Sequence, residues 1–501
     1  MNPLHSRRPG RTAAIAASLV LSAFSAETTP PNVLLICVDD LKPLLGCYGD
    51  STVRTPELDK LAAGSALFER AYCNQALCAP SRVALMTGLR PSSLGLYGLS
   101  TNFREVAPDA VTVAQYFRRH GWRTESLGKV MHAGHGNRED AASWSVPHWF
   151  PAAEKYALES NRPGPGETDR ALHGEDARGA PTECADVPDD FYADGQIAAE
   201  AVRRLRAAQG RPDTPFFLAV GFIKPHLPFC APRRYWDLYQ RGGFVLPIAD
   251  APRRAPAYAP ADSFDLRKYR GLPESGPIGG DLARELTHGY HAAVSYVDAQ
   301  IGRVLTELDR LGLARNTIVV VWGDHGWHLG DHGQWSKRSN YEEAMRVPFI
   351  LRFPPRTPPG ARLRTLVETV DIYPTLAELA GLPAPAVPQA LDGTSFAPQL
   401  HRPSANGKAA VFHVCHRERA GGYVLGRAVR TDRHRLVEWM RPGASPETAE
   451  MELYDYLADP LETENVAADQ PEVVARLRSL LQSQPLPRPS ADLPRSAGGV
   501  M

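Results

Sequence analysis

The sequence has no excess of charge of either sign. Lys and Arg together number 56, Asp and Glu together also number 56, and the formal net charge is zero. Without a net charge, the chain has no long-range field that would draw it to nucleic acid or to an anionic membrane surface. We therefore expect no nucleic-acid partner, whereas a locally cationic pocket remains compatible with this balance.

Cysteine is scarce. The seven cysteines among 501 residues are an odd number and too few for a disulfide scaffold. Cys37 lies within an apolar run and is most simply a core residue. Cys73 and Cys78 are close enough in sequence to pair with each other in an oxidising compartment, and this disulfide stays open as one interpretation of Cys78.

The N-terminal region lacks an apolar run long enough to span a bilayer. Residues 13–23 are apolar but too few for a transmembrane helix, and they follow Arg7, Arg8 and Arg11. A basic start, a short apolar run and small residues near 25–26 are typical of a signal peptide. We predict a signal peptide over 1–26, export to the periplasm or secretion, and no stable membrane insertion. A short anchor that is retained is the alternative.

The length and composition predict more than one domain. A chain of 501 residues with 43% hydrophobic residues can form a large core domain with a smaller one beside it. After about residue 400 the pattern changes to short strand-like pieces at 426–431 and 434–439, followed by a helix at about 471–482. We predict a large α/β domain over 27–400, a C-terminal α+β subdomain over 401–485 and a flexible tail over 486–501.

Four short apolar runs each end in residues that can do chemistry. They are 33–38 before Asp39-Asp40, 124–128 before Lys129, 216–222 before Lys224-Pro225-His226, and 318–322 before Asp324-His325. Continuous apolar strands are typical of a mostly parallel sheet covered on both faces. An amphipathic helix is predicted over 285–308, so the pattern indicates an α/β sandwich. Ligands of such sheets bind beyond the carboxyl ends of the strands, where all four polar clusters fall.

Two acidic pairs suggest a metal site at that edge. Asp39-Asp40 and Asp324-His325 supply hard oxygen ligands that suit Ca²⁺ or Mg²⁺, since adjacent carboxylates at a buried strand end need a compensating cation. Each pair could instead be solvated or cap a helix. His325 is unusual as a Ca²⁺ ligand and could contact a nucleophile. Zinc held by His325, His328 and His332 is disfavoured, because their spacing is not that of a zinc-binding helix.

A thiol at a predicted helix start is the most informative feature. Pro80 suits the first turn of a helix, and Cys78 precedes it. The free N–H groups of that turn and the Arg82 charge favour an anion beside the thiol. Lys129, His132, His226 and Lys337 form a candidate cationic and acid–base set, although any one of them could simply be solvated.

The run 78–88, CAPSRVALMTG, resembles the signature of type I sulfatases. Members of that family also carry an Asp-Asp pair before the signature, then a Lys, then an Asp-His or Asp-Asn pair far downstream, and all are present here. Within the family, strings such as NVLLICVDDLK at 32–42 and WGDHGWHLGDHG at 322–333 are most similar to the iduronate-2-sulfatase group. The resemblance covers roughly residues 30–470.

The resemblance implies an alkaline-phosphatase-like sandwich and a modified nucleophile. A maturation enzyme would oxidise Cys78 to 3-oxoalanine (formylglycine), whose hydrated aldehyde attacks sulfur and later expels sulfate. One Ca²⁺ would be surrounded by Asp39, Asp40, residue 78, Asp324 and His325. Arg82, Lys129 and Lys337 would hold the sulfate and the gem-diol, His132 would assist turnover at residue 78, and His226 would lie near the leaving oxygen.

The resemblance implies a sulfated glycan as the substrate. More specifically, we expect the enzyme to remove the 2-O-sulfate of a uronic acid. The alternatives are a phosphonate monoester or phosphodiester hydrolase, a choline-sulfatase type of enzyme, and a silent glycan-binding protein that keeps Cys78 as a thiol. One departure concerns residues 151–185, a long excursion rich in Gly, Pro and charge. It holds only Cys184, so no disulfide partner lies nearby, and we expect this loop to be held in another way.

Overall fold

The computed structural model describes residues 29–164, 178–354, 356–402, 407–491 and 493. The predicted signal peptide over 1–26 and most of the predicted tail lie outside them. Within the described ranges, no helix combines the length and the apolar character needed to cross a membrane.

The strands are short and mostly buried. In chain order they are β1 Asn32–Val38, β2 Ala66–Phe68, β3 Ala71–Tyr72, β4 Arg123–Gly128, β5 Thr182–Ala185, β6 Phe216–Phe222, β7 Phe229–Pro232, β8 Thr317–Gly323, β9 Arg346–Val347, β10 Phe349–Arg352, β11 Ala361–Leu363, β12 Val367–Glu368, β13 Val411–Arg419, β14 Gly422–Arg430, β15 His434–Met440 and β16 Glu450–Asp455.

The helices range from single turns to one of 31 residues. In chain order they are α1 Pro56–Ala63, α2 Cys78–Thr87, α3 Pro91–Leu94, α4 Phe103–Val106, α5 Val113–Arg119, α6 Ala193–Gln209, α7 Arg233–Trp236, α8 Phe264–Arg267, α9 Gly280–Arg310, α10 Glu342–Met345, α11 Ile372–Leu379, α12 Ala397–His401 and α13 Pro471–Gln482.

A seven-stranded sheet in the order β11-β2-β10-β8-β1-β6-β4 is the centre of the molecule. The four strands predicted from the apolar runs lie side by side in it and are parallel, with Val38 beside both Phe222 and Gly323. Strand β10 runs antiparallel to its neighbours β8 and β2, so the sheet is mixed at that side. The prediction of a mostly parallel sheet is confirmed for the half that carries the site.

Side chains of β1 alternate between two hydrophobic cores. Val33, Leu35 and Cys37 pack on one face with α2 and α5, whereas Leu34 and Ile36 pack on the other with α6 and α9. Alternation of this kind places helices on both faces of the sheet, as expected for a covered parallel sheet. Cys37 is a core residue, as predicted.

The C-terminal part forms an antiparallel sheet in the order β13-β14-β15-β16. Leu477 and Leu481 of α13 pack on Val429, Leu436 and Leu453 of this sheet. An α+β unit is therefore confirmed, while its exact boundaries stay a prediction. The sequence predicted α13 within a residue of its bounds but located only the two middle strands, because β13 and β16 have mixed exposure and weak alternation.

Three further details differ from expectation. The long helix α9, Gly280–Arg310, starts before residue 285 and ends after residue 308, so it is longer at both ends than predicted. The predicted excursion contains strand β5, which pairs in parallel with β7. At the predicted tail, backbone N–H groups of Arg488 and Ala491 donate to the carbonyls of Ser92 and Gly95.

Candidate active site

The turn after β1 places two carboxylates beside the neighbouring strands. The Asp39 N–H donates to the Phe222 carbonyl at 3.3 Å, and the Asp40 N–H donates to Oδ1 of Asp324 at 2.9 Å. The Tyr290 hydroxyl of α9 donates to the Asp40 carbonyl at 2.7 Å. Asp40 has a positive φ of 58°, so these bonds hold a left-handed turn.

Helix α2 brings residue 78 to the same edge. The helix begins at Cys78 and not at Pro80, which occupies its third position. Proline is tolerated there because N–H groups of the first turn have no partner within the helix. Ser81 Oγ donates to the Asp324 carbonyl at 2.5 Å and ties the helix to the end of β8.

Arg82 is fully buried between the acidic pairs. Its Nε donates to Oδ2 of Asp324 at 2.9 Å and its Nη2 to Oδ1 of Asp39 at 3.0 Å. Its Nη1 donates to the Val130 carbonyl at 3.2 Å. Charge-assisted bonds in this fork geometry fix the orientation of both carboxylates.

Two lysines and a histidine surround the thiol of residue 78. The Sγ atom lies 3.3 Å from Nζ of Lys337, 3.3 Å from Nε2 of His325 and 3.8 Å from Nζ of Lys129. Lys337 also donates to Oδ1 of Asp40 at 2.7 Å, and Lys129 pairs with Oδ2 of Asp39. Residue 78 therefore lies at the centre of a buried array of charges.

This array shifts the acid–base properties of its members. Burial and Asp39 raise the pKa of the Cys78 thiol, but Lys129, Lys337 and His325 outweigh them and hold it well below its ordinary value. Burial raises the pKa of Asp40 to about 6 despite Lys337. A nucleophile with a lowered pKa among lysines is typical of a catalytic site.

Donor atoms of Asp39, Asp40, Cys78 and His325 lie within 4.8 Å of one another. Oδ2 of Asp40 is buried without a hydrogen-bond partner. An orphaned carboxylate oxygen beside a second carboxylate fits a hard divalent cation, which prefers oxygen ligands. Asp324, which the resemblance placed around the ion, is not in this group. Its Oδ1 accepts the N–H groups of Asp40 and His325, and its Oδ2 accepts from Arg82.

The two predicted acid–base histidines share a cavity with Cys78. This cavity has a volume of about 290 Å³, and its walls include Lys129, Lys337, His132 and His226. His226 lies against the Leu227 carbonyl through Nδ1 at 2.6 Å, and burial, Lys129 and Lys337 hold its pKa well below its usual value.

His132 instead meets His135, with its Nε2 at 3.1 Å from Nδ1 of His135. Its other ring nitrogen, Nδ1, is buried without a hydrogen-bond partner. His132 therefore lines the cavity, and its polar ring contact is with His135 and not with residue 78.

Two alternatives from the sequence find no support in the geometry. All seven cysteines are free thiols, and Cys73 points to the Ala344 carbonyl, so the Cys73–Cys78 disulfide is absent. His328 lies with Nε2 at 2.8 Å from Oγ of Ser339 and, like His332, is not part of the donor cluster. The zinc site of three histidines is therefore not formed.

Several cavity residues were missed from the sequence. Trp327 contacts the Lys337 ammonium through its ring face at 5.5 Å. Further residues lining the cavity come from five separate segments: His135, Lys155, Arg178, Asp265 with Lys268, and Arg338. Arg338 could have been found as the neighbour of Lys337, but no local pattern marks the others.

The contacts that hold the segment around Lys337 in place could not be predicted from the sequence either. Asn340 donates to the Gly426 carbonyl at 3.0 Å, and the Tyr341 hydroxyl donates to buried Glu452 at 3.1 Å. Both partners belong to the C-terminal sheet. That sheet therefore positions the segment that carries Lys337.

Comparison with known proteins decides the family. The family model described as Sulfatase matches residues 31–382, which is more than half of the chain. This chain belongs to the sulfatase family. A second model, N-sulphoglucosamine sulphohydrolase, C-terminal, matches residues 330–485. The protein is accordingly a sulfuric ester hydrolase.

Two curated relatives are iduronate 2-sulfatases. The mouse and human proteins are each 40% identical to this sulfatase over 395 residues, which covers 72% of this chain and 70% and 71% of theirs. The similarity to iduronate 2-sulfatases that the strings at 32–42 and 322–333 predicted is therefore confirmed.

Solved structures confirm the fold. A structure determined in complex with its substrate D-glucosamine-2-N,6-O-disulfate has a TM-score of 0.70 and 22% identity, covering 91% of this chain and 97% of that one. The phosphonate monoester hydrolase of Agrobacterium radiobacter has a TM-score of 0.68 and 22% identity, covering 90% and 95%. The architecture is the alkaline-phosphatase-like sandwich expected from the resemblance.

Proposed function

We propose that this sulfatase removes the 2-O-sulfate from a uronic acid of a sulfated glycan. The 40% identity to iduronate 2-sulfatases over 72% of the chain is the observation that carries the proposal. A cationic cavity at residue 78 supports it, because a glycan that bears sulfates and carboxylates is a polyanion. Export, followed by action on extracellular or periplasmic glycans, belongs to the same proposal.

Residue 78 is proposed to act after a maturation enzyme has converted its thiol to formylglycine. The converted residue supplies a hydrated aldehyde, with one hydroxyl to attack sulfur and a second to release the sulfate afterwards. Lys129 and Lys337 both reach the position of Sγ, so they stabilise negative charge on that hydroxyl and on the sulfate oxygens. An unmodified thiol has no second hydroxyl, so it cannot complete the cycle.

A Ca²⁺ ion fits the donor cluster. Asp39, Asp40, residue 78 and His325 would hold it, with the unpartnered Oδ2 of Asp40 as the free ligand atom. The ion would supply positive charge that offsets the repulsion between the sulfate oxygens and an oxygen nucleophile. Asp324 and Arg82 then act by orienting the ligands, and a direct Asp324 contact with the ion stays a prediction.

His226 is proposed to serve the leaving oxygen. Its pKa lies well below the usual value in the free site, so the ring is neutral at neutral pH. A bound sulfate ester brings negative charge next to the ring, which raises that pKa and allows a proton to be taken up and given to the leaving alcohol oxygen. His132, which lines the same cavity, is proposed to assist turnover at residue 78.

Desulfation of a panel of defined glycosaminoglycan disaccharides tests the proposal. We expect sulfate release from 2-O-sulfated uronate and much slower release from sulfated hexosamine. Activity only on hexosamine sulfates or choline sulfate would refute the uronate assignment. Faster turnover of an aryl phosphodiester than of an aryl sulfate would favour a phosphodiester hydrolase instead.

Mass measurement of tryptic peptide 71–82 tests the nucleophile. The peptide contains both Cys73 and Cys78. An aldehyde at residue 78 is expected, with the thiol of Cys73 intact. A fully unmodified peptide from the exported protein would support a silent glycan-binding protein.

A further inference from the structure

The loop between β6 and β7, residues 223–228, carries His226 and a second basic residue that the proposed mechanism does not use. This residue, Lys224, is buried, and it does not line the cavity that contains Cys78. A lysine is rarely buried without partners, because its ammonium group loses its hydration there. The groups that the ammonium contacts therefore indicate its role.

The ammonium group of Lys224 is bonded to its own loop. Its Nζ donates to the carbonyl of His226 at 2.7 Å and to the carbonyl of Pro228 at 2.6 Å. Both acceptors are backbone groups, one on each side of Leu227. The charged donor therefore fixes the path of the chain across Leu227, since bonds from an ionised group are the stronger ones.

The start of the same loop is held by Asp194 in α6. Its Oδ1 accepts the N–H group of Ile223 at 2.6 Å, and its Oδ2 accepts the N–H group of Lys224 at 3.1 Å. Asp194 is buried, as Lys224 is. One buried carboxylate thus holds residues 223–224, and one buried ammonium group holds residues 226–228.

This loop also determines which nitrogen of His226 can exchange a proton with a substrate. Nδ1 lies 2.6 Å from the carbonyl of Leu227. A carbonyl only accepts hydrogen bonds, so Nδ1 carries the proton of the neutral ring and Nε2 is the nitrogen that can take up another. Leu227 lies between the two carbonyls that Lys224 holds, so a shift of this segment would move the partner of Nδ1 and change the direction of Nε2.

We propose that Lys224 is a positioning residue for His226. Its ammonium group fixes residues 226–228 so that Nε2 of His226 faces the leaving oxygen. This inference rests on the proposed function, in which His226 protonates that oxygen. In that step a hydroxyl oxygen of residue 78 forms the new bond to sulfur, and the ester S–O bond breaks with its electron pair on the leaving oxygen. The Nε2 proton then moves to that oxygen, and the imidazole becomes neutral.

The test compares two aryl sulfates in Lys224→Met, which keeps most of the side-chain bulk but removes both hydrogen bonds. One substrate is 4-nitrophenyl sulfate, whose phenolate can leave without a proton. The other is phenyl sulfate, whose poorer leaving group needs one. We expect the variant to lose at least about tenfold more on phenyl sulfate, in kcat and not in KM, because a displaced acid weakens only the proton transfer.

Two further variants act on the same loop. Asp194→Asn leaves one acceptor oxygen where the carboxylate offers two, so we expect the same preferential loss on phenyl sulfate. Lys224→Arg keeps the charge and the donors, and it should restore part of that loss. These variants decide the question if Lys224→Met does not fold.

The matched control is Lys408→Met. Lys408 is a half-buried lysine that pairs with Glu368 and Asp371. Its replacement should lower the stability of the fold, measured by denaturant unfolding, and leave the ratio of the two rates at the wild-type value. A purely structural role of Lys224 predicts the same unchanged ratio in Lys224→Met, and that result would overturn the inference.

His226→Gln separates the failure of this inference from that of the proposed function. A preferential loss on phenyl sulfate in both His226→Gln and Lys224→Met supports the positioning role. A preferential loss in His226→Gln alone overturns the positioning role and leaves His226 as the acid. Equal losses on both substrates in His226→Gln refute the proposed role of His226, and the positioning role with it. The uronate assignment does not affect these outcomes, because neither substrate contains a sugar.

Discussion

Nε of Arg82 donates a 2.9 Å hydrogen bond to Oδ2 of Asp324, although 242 residues separate them in the sequence. The same guanidinium bonds with Asp39, so one fully buried cation joins the ends of β1 and β8. Removing one partner of a buried ion pair leaves the other charge uncompensated, and this costs more stability than breaking an exposed ion pair.

Arg82→Met is expected to destabilise the fold by about 3–5 kcal/mol, because buried Asp324 would lose the guanidinium and Asp39 would keep only Lys129. Arg82→Lys keeps the charge but cannot bond both carboxylates, so we expect much of the stability to return while activity stays at least about 100-fold down. Denaturant unfolding and aryl sulfate turnover measure the two effects. Arg315→Met, at an exposed position, is the control, and equal stability of Arg82→Met and wild type would contradict the prediction.

Asp40→Asn is expected to lower the affinity for Ca²⁺ by at least about 10–100-fold, because the unpartnered Oδ2 is the ligand atom that the amide would replace with an N–H₂ group. Metal content after dialysis and the Ca²⁺ dependence of activity measure this. Asp213→Asn, a change at an exposed carboxylate, should leave both unchanged. If Asp40→Asn retains full metal content, the cluster is not the metal site.

The two neighbouring cysteines are expected to behave differently. Cys78→Ala should abolish sulfatase turnover, with a loss of at least about 10⁴-fold, since the nucleophile is gone. Cys73→Ala should retain the aldehyde at residue 78 and most of the activity, because Cys73 is a buried free thiol near the Ala344 carbonyl. Steady-state rates and peptide mass measure both. An inactive, unconverted but folded Cys73→Ala protein would show that Cys73 has a part in maturation.

Glu342, which pairs with Arg430 and Arg435 of the C-terminal sheet, is expected to make the stability of the fold depend on pH. Burial raises its pKa, but Arg430, Arg435 and Arg346 outweigh burial and bring the pKa from 4.5 down to about 2. A carboxylate with a depressed folded-state pKa stabilises the fold above its unfolded pKa, and that contribution is lost as the pH falls from about 4.5 through 2. The contribution is on the order of 3 kcal/mol.

The measurement is the free energy of unfolding from pH 6 to pH 2.5 in wild type and in Glu342→Gln. We expect the wild type to be more stable at pH 6, with the difference shrinking as the pH falls. Glu274→Gln, at an exposed position, should follow the wild type throughout. A stability difference that is the same at both ends of the range would rule out this linkage.

Much of the site could be predicted from short windows of sequence. Apolar runs ending in Asp39-Asp40, Lys129, His226 and Asp324-His325 give strands and their chemical ends, and the parallel arrangement of β4, β6, β1 and β8 brings those ends to one edge. The CAPSR run likewise predicts a helix start with a thiol and a fixed cation, whereas the burial of Arg82 between two carboxylates appears only in the structure. Local periodicity and motifs contain this information because each depends on neighbours in the chain.

Only the tertiary structure decided how these groups divide their partners. Oδ1 of Asp324 accepts backbone N–H groups and its Oδ2 accepts from Arg82, whereas Oδ2 of Asp40 has no hydrogen-bond partner. Cys73 and residue 78 are not joined by a disulfide. The tertiary structure also brought Lys155, Arg178, Lys268 and Arg338 from separate segments to the walls of one cavity. The segment that carries Lys337 is held against the C-terminal sheet through Asn340. Such pairings depend on distances between remote segments, and no local pattern encodes a distance that only packing sets.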